Sequence, residues 1–71
     1  MSDDPAIDVS RFSPREIEVL RNLAVGRTNA TTARRMNISV HTVDTYIRRI
    51  KDKVGPLNRG QLVILAVGVS S

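Results

Sequence analysis

The fold is decided by the stretch from residue 28 to residue 54, TNATTARRMNISVHTVDTYIRRIKDKV. Thr28 is suited to cap a short helix ending near Met36, and Ser39 is suited to cap a longer one. The longer helix carries an apolar stripe at spacings of three and four residues, formed by Val40, Val43, Ile47, Ile50 and Val54. Two helices joined by so short a turn are typical of a helix-turn-helix motif.

A further helix is expected before this motif. Ser13 is a favourable cap, Pro14 fits the first helical position, and Glu16 completes a capping box. Gly26 can end this helix in the left-handed conformation. The residues before it are acidic and show no pattern, so we predict a flexible lead-in or linker over residues 1–11.

A fourth helix is expected after the motif. Asn58 and Gln61 resemble another capped start, and the apolar run at residues 62–67 follows it. That run is equally compatible with a buried strand, but the chain offers no partner strand. We therefore predict an all-α helix-turn-helix domain over residues 12–71, with helices at about 14–25, 28–36, 39–54 and 58–68.

Composition and charge narrow the function. The 71 residues include no cysteine and one histidine, His41, so thiolate or histidine metal clusters are not expected, and neither is a cofactor. The net charge is +4, and the first ten residues contribute −3, which leaves +7 for residues 11–71. This balance favours a nucleic-acid partner over a membrane, although the charge could serve solubility alone. A cytoplasmic location is expected, since no secretory signal is visible.

The outward side of the third helix is polar. At about 100° per residue, this side contains His41, Asp44, Thr45, Arg48 and Asp52. Thr42, Arg49 and Lys53 lie along one edge, and Lys51 lies along the other. This layout suits base contacts in the centre and phosphate contacts at the sides. The alternative is a solvated surface on which Asp44, Arg48 and Asp52 form weak ion pairs along the helix.

Three segments carry a family resemblance. FSPREIEVL at 12–20, GRTNATTARRMNI at 26–38 and SVHTVDTYIRRIKDKVG at 39–55, together with Arg59, resemble the LuxR/GerE-type DNA-binding domain of bacterial transcription regulators. The resemblance covers residues 12–67. It implies four helices, a helix-turn-helix made of the second and third, and dimerisation through the fourth. It also implies double-stranded DNA as the partner, with an upstream receiver or sensor domain and RNA polymerase as further partners.

The resemblance also implies roles for individual residues. It places base contacts at Asp44, Thr45 and Arg48. Contacts to the DNA backbone are expected at Thr28, Asn29, Ser39, Thr42 and Lys53, and the edge positions add Arg49 and Lys51. Glu16 and Arg35 resemble positions where an ion pair commonly ties helices together.

The sequence departs from the family pattern at two informative places. Ala30, Thr31 and Thr32 stand where Lys-Glu-Ile is usual, which puts a hydroxyl at a core-facing site and removes a capping glutamate. Asp44 stands where lysine is common. The first departure bears on the stability of the second helix, and the second bears on which DNA sequence is preferred.

The fourth helix is apolar on two sides. With Leu62, Leu65, Ala66 and Val69 facing inward, its outward side shows Gly60, Val63, Ile64 and Val67. An exposed apolar helix face is usually covered by something. A symmetric contact with a second copy is the favoured interpretation, and packing against an upstream domain is the alternative.

Catalysis is not expected. Ser39, His41 and Asp44 only superficially resemble a hydrolase triad, because no oxyanion donors or substrate cleft accompany them. The sequence predicts sequence-specific DNA binding for bacterial transcription regulation, with residues 39–54 in the major groove and a dimer formed through residues 58–68. Two alternatives remain: a protein-interaction module on the same fold, and a sigma-factor-like promoter-reading domain.

Overall fold

The computed structural model describes residues 9–70; residues 1–8 and 71 lie outside the described part. A short 3-10 turn, Val9–Arg11, precedes four α-helices: α1 (Pro14–Ala24), α2 (Asn29–Met36), α3 (Val40–Val54) and α4 (Arg59–Ser70). No strand occurs between residues 9 and 70, and the apolar run from Leu62 is helical. The predicted all-α architecture is confirmed. Most of the predicted lead-in falls outside the described residues.

The helices start where their capping residues predict. In α1, Ser13 Oγ accepts from the Glu16 N–H at 3.2 Å, and the Glu16 carboxylate accepts from the Ser13 N–H at 2.9 Å. In α4, Asn58 and Gln61 exchange the same two bonds, at 3.0 and 2.9 Å. The hydroxyls of Thr28 and Ser39 cap α2 and α3. The start of α1 is as predicted. The other three helices begin one residue later than predicted, at 29, 40 and 59, because the predicted ranges counted the capping residue.

The turn of the helix-turn-helix is built on Asn37. This residue adopts the left-handed conformation, with φ 59° and ψ 44°, and it is the non-glycine residue with positive φ between residues 9 and 70. Its N–H and that of Ile38 donate back to carbonyls of α2. These bonds end α2 and let the chain enter α3 within three residues.

The core is aliphatic, with one phenylalanine, and α1 packs against all three other helices. The buried apolar side chains are Phe12, Val19, Leu20, Leu23, Ala33, Met36, Val43, Ile47, Ile50, Leu62, Ala66 and Val69. The apolar stripe predicted for α3 is buried only at Val43, Ile47 and Ile50. The expectation that its end residues Val40 and Val54 also face the core is wrong, because they are 43% and 36% exposed. Both residues lie at the ends of α3, which has 15 residues and is longer than α1 with 11 and α2 with 8, so its ends extend past the helices that cover its middle.

A buried ion pair ties α1 to α3. Lys53 Nζ lies 2.6 Å from Glu16 Oε1, and the Glu16 side chain is almost fully buried. The expected pair between Glu16 and Arg35 is therefore wrong: Arg35 is exposed, and α3 rather than α2 supplies the cation. Burial alone would raise the pKa of Glu16, but the hydrogen bonds from Lys53 and Ser13, with the charges of Lys53 and Arg49, lower that pKa below its ordinary value of 4.5.

Thr32 is the core-facing hydroxyl that the sequence predicts. Its side chain is completely buried, and Oγ1 has no hydrogen-bond partner among the described residues. A buried hydroxyl without a partner costs about 1–3 kcal/mol. The second helix therefore carries a local defect at the position where the family pattern has an aliphatic residue.

Candidate nucleic-acid interface

The outward side of α3 is open to solvent. Val43, Ile47 and Ile50 hold the opposite side in the core, while Asp44 and Arg48 are exposed and Thr45 is half-buried. His41, Arg49 and Asp52 are also exposed. The structure therefore brings the three residues predicted to contact bases together on one face, within little more than one helical turn.

Thr45 uses its hydroxyl proton within the helix. Its Oγ1 donates to the carbonyl oxygen of His41 at 3.1 Å. This bond fixes the side-chain rotamer and leaves the methyl group and the oxygen lone pairs available to a ligand. Thr45 can therefore offer an apolar contact or an acceptor, but not a free hydroxyl donor.

Asp44 does not pair with Arg48, and the ion pairs along α3 that formed part of the alternative interpretation are not present. The carboxylate Oδ1 of Asp44 instead accepts from the side-chain Nδ2 of Asn29 at 3.0 Å. The Oδ1 of Asn29 accepts from Nη1 of Arg59 at 2.8 Å, and Nη2 of Arg59 donates to the carbonyl of Arg27 at 3.2 Å. One chain of hydrogen bonds thus links the starts of α4 and α2 to the exposed face of α3.

Arg48 has no protein partner in the described part of the chain. The ion pairs between residues 9 and 70 are Arg15–Glu18 and Glu16–Lys53, and Arg48 makes no hydrogen bond there. Arg48 lines an open groove of about 380 Å³ between α3 and the start of α4. The other lining residues are Asn29, Asp44, Ile47, Lys51, Leu57, Asn58, Arg59 and Leu62. The groove thus presents three cations beside one carboxylate.

Three of the predicted backbone contacts, Thr28, Ser39 and Thr42, lie at helix starts. Ser39 Oγ accepts from the Thr42 N–H at 3.0 Å, and their hydroxyl oxygens are 2.9 Å apart. Thr28 caps α2 in the same way, so Thr28, Ser39 and Thr42 mark two exposed helix starts. A helix start carries partial positive charge and favours an anion.

The basic residues at the edges differ in how strongly their side chains are already bound within the protein. Arg49 lies over the ring of Tyr46, with its guanidinium carbon 5.9 Å from the ring centre, and Lys51 is half-buried beside the groove. Lys53 is held by Glu16, and Asn29 is held between Asp44 and Arg59. Arg49 and Lys51 are therefore the edge residues with polar groups least committed to the protein.

Residues 9–70 hold neither a metal-ligand group nor a membrane-spanning helix. In residues 9–70, His, Asp and Glu side chains form no group of three that could hold a metal ion. No helix in the same residues combines the length and apolar character needed to cross a membrane. What the exposed α3 face offers is an acceptor and a free guanidinium on successive turns of one helix, with helix starts and cations beside them.

Comparison with known proteins agrees with this geometry. The family described as bacterial regulatory proteins, luxR family (GerE), matches residues 10–66. This chain belongs to the luxR family. Its motif of α2 and α3 is thus the helix-turn-helix of a luxR-type DNA-binding domain, and its resemblance to that family is confirmed.

Three of the relatives are bacterial proteins named as transcriptional regulators or activators. The chain is 38% identical over 56 residues to the uncharacterized transcriptional regulatory protein YxjL of Bacillus subtilis. This match covers 79% of this chain and 26% of that protein. It is 37% identical over 54 residues to the HTH-type transcriptional activator RamA of Corynebacterium glutamicum, covering 76% and 19%. It is 33% identical over 67 residues to the transcriptional regulatory protein FixJ of Bradyrhizobium diazoefficiens, covering 94% and 33%. No solved structure matches the chain.

Sequence reasoning missed the role of one residue. The family resemblance includes Arg59 without a stated role, whereas the structure links it through Asn29 to Asp44. Arg59 and Asn29 are 30 positions apart, so no periodic pattern connects them. A carboxylate where lysine is common can attract a nearby donor, but the sequence alone does not indicate which residue supplies it.

Proposed function

We propose that this luxR-family domain binds specific sequences in double-stranded DNA and regulates bacterial transcription in the cytoplasm, with α3 in the major groove. The observation that carries the proposal is the exposed α3 face, where Arg48 has no protein partner and Asp44 stands one turn before it. In helix-turn-helix proteins the second helix enters the major groove and its N-terminal half meets the base edges.

Arg48 is the main base contact in this proposal. An arginine side chain can donate two hydrogen bonds to O6 and N7 of guanine, and such a pair discriminates by about 1–3 kcal/mol. Asp44 would accept a hydrogen bond from a base amino group. The methyl group of Thr45 is suited to contact the methyl group of thymine, since its hydroxyl proton is used by His41.

Phosphate contacts would flank these bases. The starts of α2 and α3, at Thr28, Ser39 and Thr42, offer helix N-termini to phosphate oxygens. Arg49 and Lys51 add positive charge on the two edges. Asn29 and Lys53 are already bonded within the protein, so their contribution to phosphate binding would be smaller.

A homodimer formed through α4 completes the proposal. Ile64 is 73% exposed and Val67 is 51% exposed, while Gly60 is exposed and Val63 is half-buried on the same helix. A second copy placed across this apolar side would bury it, and two-fold DNA sites require paired subunits. The remaining side of α4, with Leu62 and Ala66, is already buried against α1.

Partners of the whole protein extend the proposal. The chain spans 19–33% of the length of the three relatives described above. We infer that the domain works with an upstream receiver or sensor domain and contacts RNA polymerase, as the family resemblance implies. Because the chain belongs to the luxR family, a sigma-factor-like domain is no longer an alternative. A protein-interaction module on the same fold remains one, and the experiment below distinguishes it from a DNA-binding domain.

Selection of binding sites from a random duplex pool, at low and at physiological salt, tests this function. We expect one motif with two-fold symmetry to be enriched at both concentrations. Affinity for it should fall steeply with salt, because phosphate contacts release counterions. If no motif is enriched at either salt concentration, the domain does not bind DNA specifically, and the interaction-module alternative is supported instead.

A further inference from the structure

The hydrogen-bond chain Arg59–Asn29–Asp44 holds a carboxylate on the exposed α3 face in one defined place. The primary amide of Asn29 has an acceptor and a donor, and both are used: Oδ1 accepts from Arg59 Nη1 at 2.8 Å, and Nδ2 donates to Asp44 Oδ1 at 3.0 Å. This is the amide orientation that satisfies both charged neighbours. Arg59 is held in turn by the carbonyl of Arg27.

Without these hydrogen bonds, Asp44 could pair with Arg48 instead. Arg48 lies four positions further along α3, a spacing at which a carboxylate and a guanidinium attract each other. The Asn29 amide draws Asp44 Oδ1 toward α2, and the positive charge of Arg59 polarises the amide and strengthens its donation. The carboxylate and the guanidinium therefore stay apart, and no hydrogen bond from residues 9–70 reaches the second oxygen, Oδ2.

We propose that Asn29 and Arg59 are specificity-positioning residues: they hold Asp44 so that its Oδ2 accepts a hydrogen bond from the amino group of cytosine, and they keep Arg48 free for guanine. This inference rests on the proposed DNA-binding function. It assigns to the preferred site a cytosine opposite Asp44, because an ionised carboxylate only accepts, and the cytosine N4 amino group is the donor it suits in the major groove.

These hydrogen bonds also give Asn29 a role different from a phosphate contact. Its polar atoms point along the chain of bonds to Asp44 and Arg59 rather than standing free at the start of α2. Replacing Asn29 with alanine leaves the net charge unchanged, so non-specific attraction to DNA is preserved. The expected loss is therefore one of discrimination, at the base pair read by Asp44 and, because Arg48 can then pair with Asp44, at the guanine read by Arg48.

The experiment measures affinities for the selected site and for single-base-pair replacements of it. The base pair read by Asp44 is the one whose replacement weakens the unmodified protein but not Asp44→Ala. We expect that pair to carry cytosine, with a discrimination of about fivefold or more. Asn29→Ala and Arg59→Met should each lower the discrimination there to the level of Asp44→Ala, and neither should lower it further in the Asp44→Ala background.

Two controls separate positioning from charge and folding. Arg21→Met removes the same charge as Arg59→Met from an exposed position on α1, and it should leave discrimination at every base pair unchanged. Thermal unfolding shows whether each variant stays folded. The inference is overturned if Asn29→Ala, folded, keeps full discrimination at the Asp44-dependent pair, or if that pair does not carry cytosine. If the unmodified protein discriminates at no pair, the proposed function itself fails.

Discussion

Asp44 places a negative charge on the face of α3 that we propose meets DNA. Its carboxylate is bonded to Asn29 and repels phosphate, so it should favour discrimination over affinity. We expect Asp44→Lys to bind scrambled DNA more tightly, with a steeper dependence on salt, and to blur the preferred site. Fluorescence anisotropy on selected and scrambled duplexes measures both effects. Weaker binding of the lysine variant to scrambled DNA would contradict this role.

Thr32 is the residue whose replacement should stabilise the domain. Its hydroxyl is buried without a partner, and valine has nearly the same shape without the polar atom. We expect Thr32→Val to raise the free energy of unfolding by about 1 kcal/mol, as measured by urea denaturation. Thr45→Val is the matched control, because the Thr45 hydroxyl is bonded to His41 and no gain is expected there. A loss of stability in Thr32→Val would show that its hydroxyl is satisfied.

At the scale of helices, the Glu16–Lys53 pair joins the start of α1 to the end of α3. The pKa of Glu16 is lowered in the folded state, so this group stabilises the fold above its ordinary value of 4.5, and that stabilisation is lost as the pH falls through the lowered pKa. We expect Glu16→Gln to cost about 1–2 kcal/mol at pH 7 and progressively less below about pH 4.5. Urea denaturation across this pH range measures the difference.

Glu18→Gln is the control for that measurement. Glu18 pairs with Arg15, and both side chains are about two-fifths exposed, 44% and 43%. An exposed pair of this kind contributes about 0–1 kcal/mol, so its removal should have little effect at any pH. A cost of Glu16→Gln that does not change between neutral and acidic pH would contradict the role assigned to the buried pair.

The helices also show which features a sequence can predict. Each cap bonds a residue three positions further on, so local pattern was sufficient to place all four helix starts, at Ser13, Thr28, Ser39 and Asn58. The partners of Glu16 and Asp44 come from other helices, 37 and 15 positions away. Such partners follow from how helices pack, and the family resemblance suggested the wrong one for Glu16.

For the whole molecule, the exposed apolar side of α4 is the surface through which we propose that two copies dimerise. We expect Ile64→Arg to weaken dimerisation by more than about tenfold, because an arginine would be buried in an apolar contact. Sedimentation on a duplex with two half-sites should show paired binding by the unmodified protein and independent binding by the variant. Val25→Arg adds the same charge at a site 66% exposed just after the end of α1 and should not disturb pairing. Unchanged pairing by Ile64→Arg would place the dimer elsewhere.

The shape of the candidate site could be predicted only in part. Helical periodicity correctly placed Asp44, Thr45 and Arg48 on one face, since it depends on one helix alone. It did not show that Asp44 is tied to α2 and α4, nor that Arg48 is thereby left without a partner. These contacts depend on the path of the chain between residues 29 and 59.

The central claim is that Arg48 on α3 contacts a base, and its direct test is the ratio of affinities for the selected and scrambled duplexes. We expect Arg48→Ala to lose about 1–3 kcal/mol on the selected site and to lose its preference at one base pair, while the affinity for scrambled DNA falls much less. Equal losses on the two duplexes would contradict the claim, because they would make Arg48 a phosphate contact rather than a base contact.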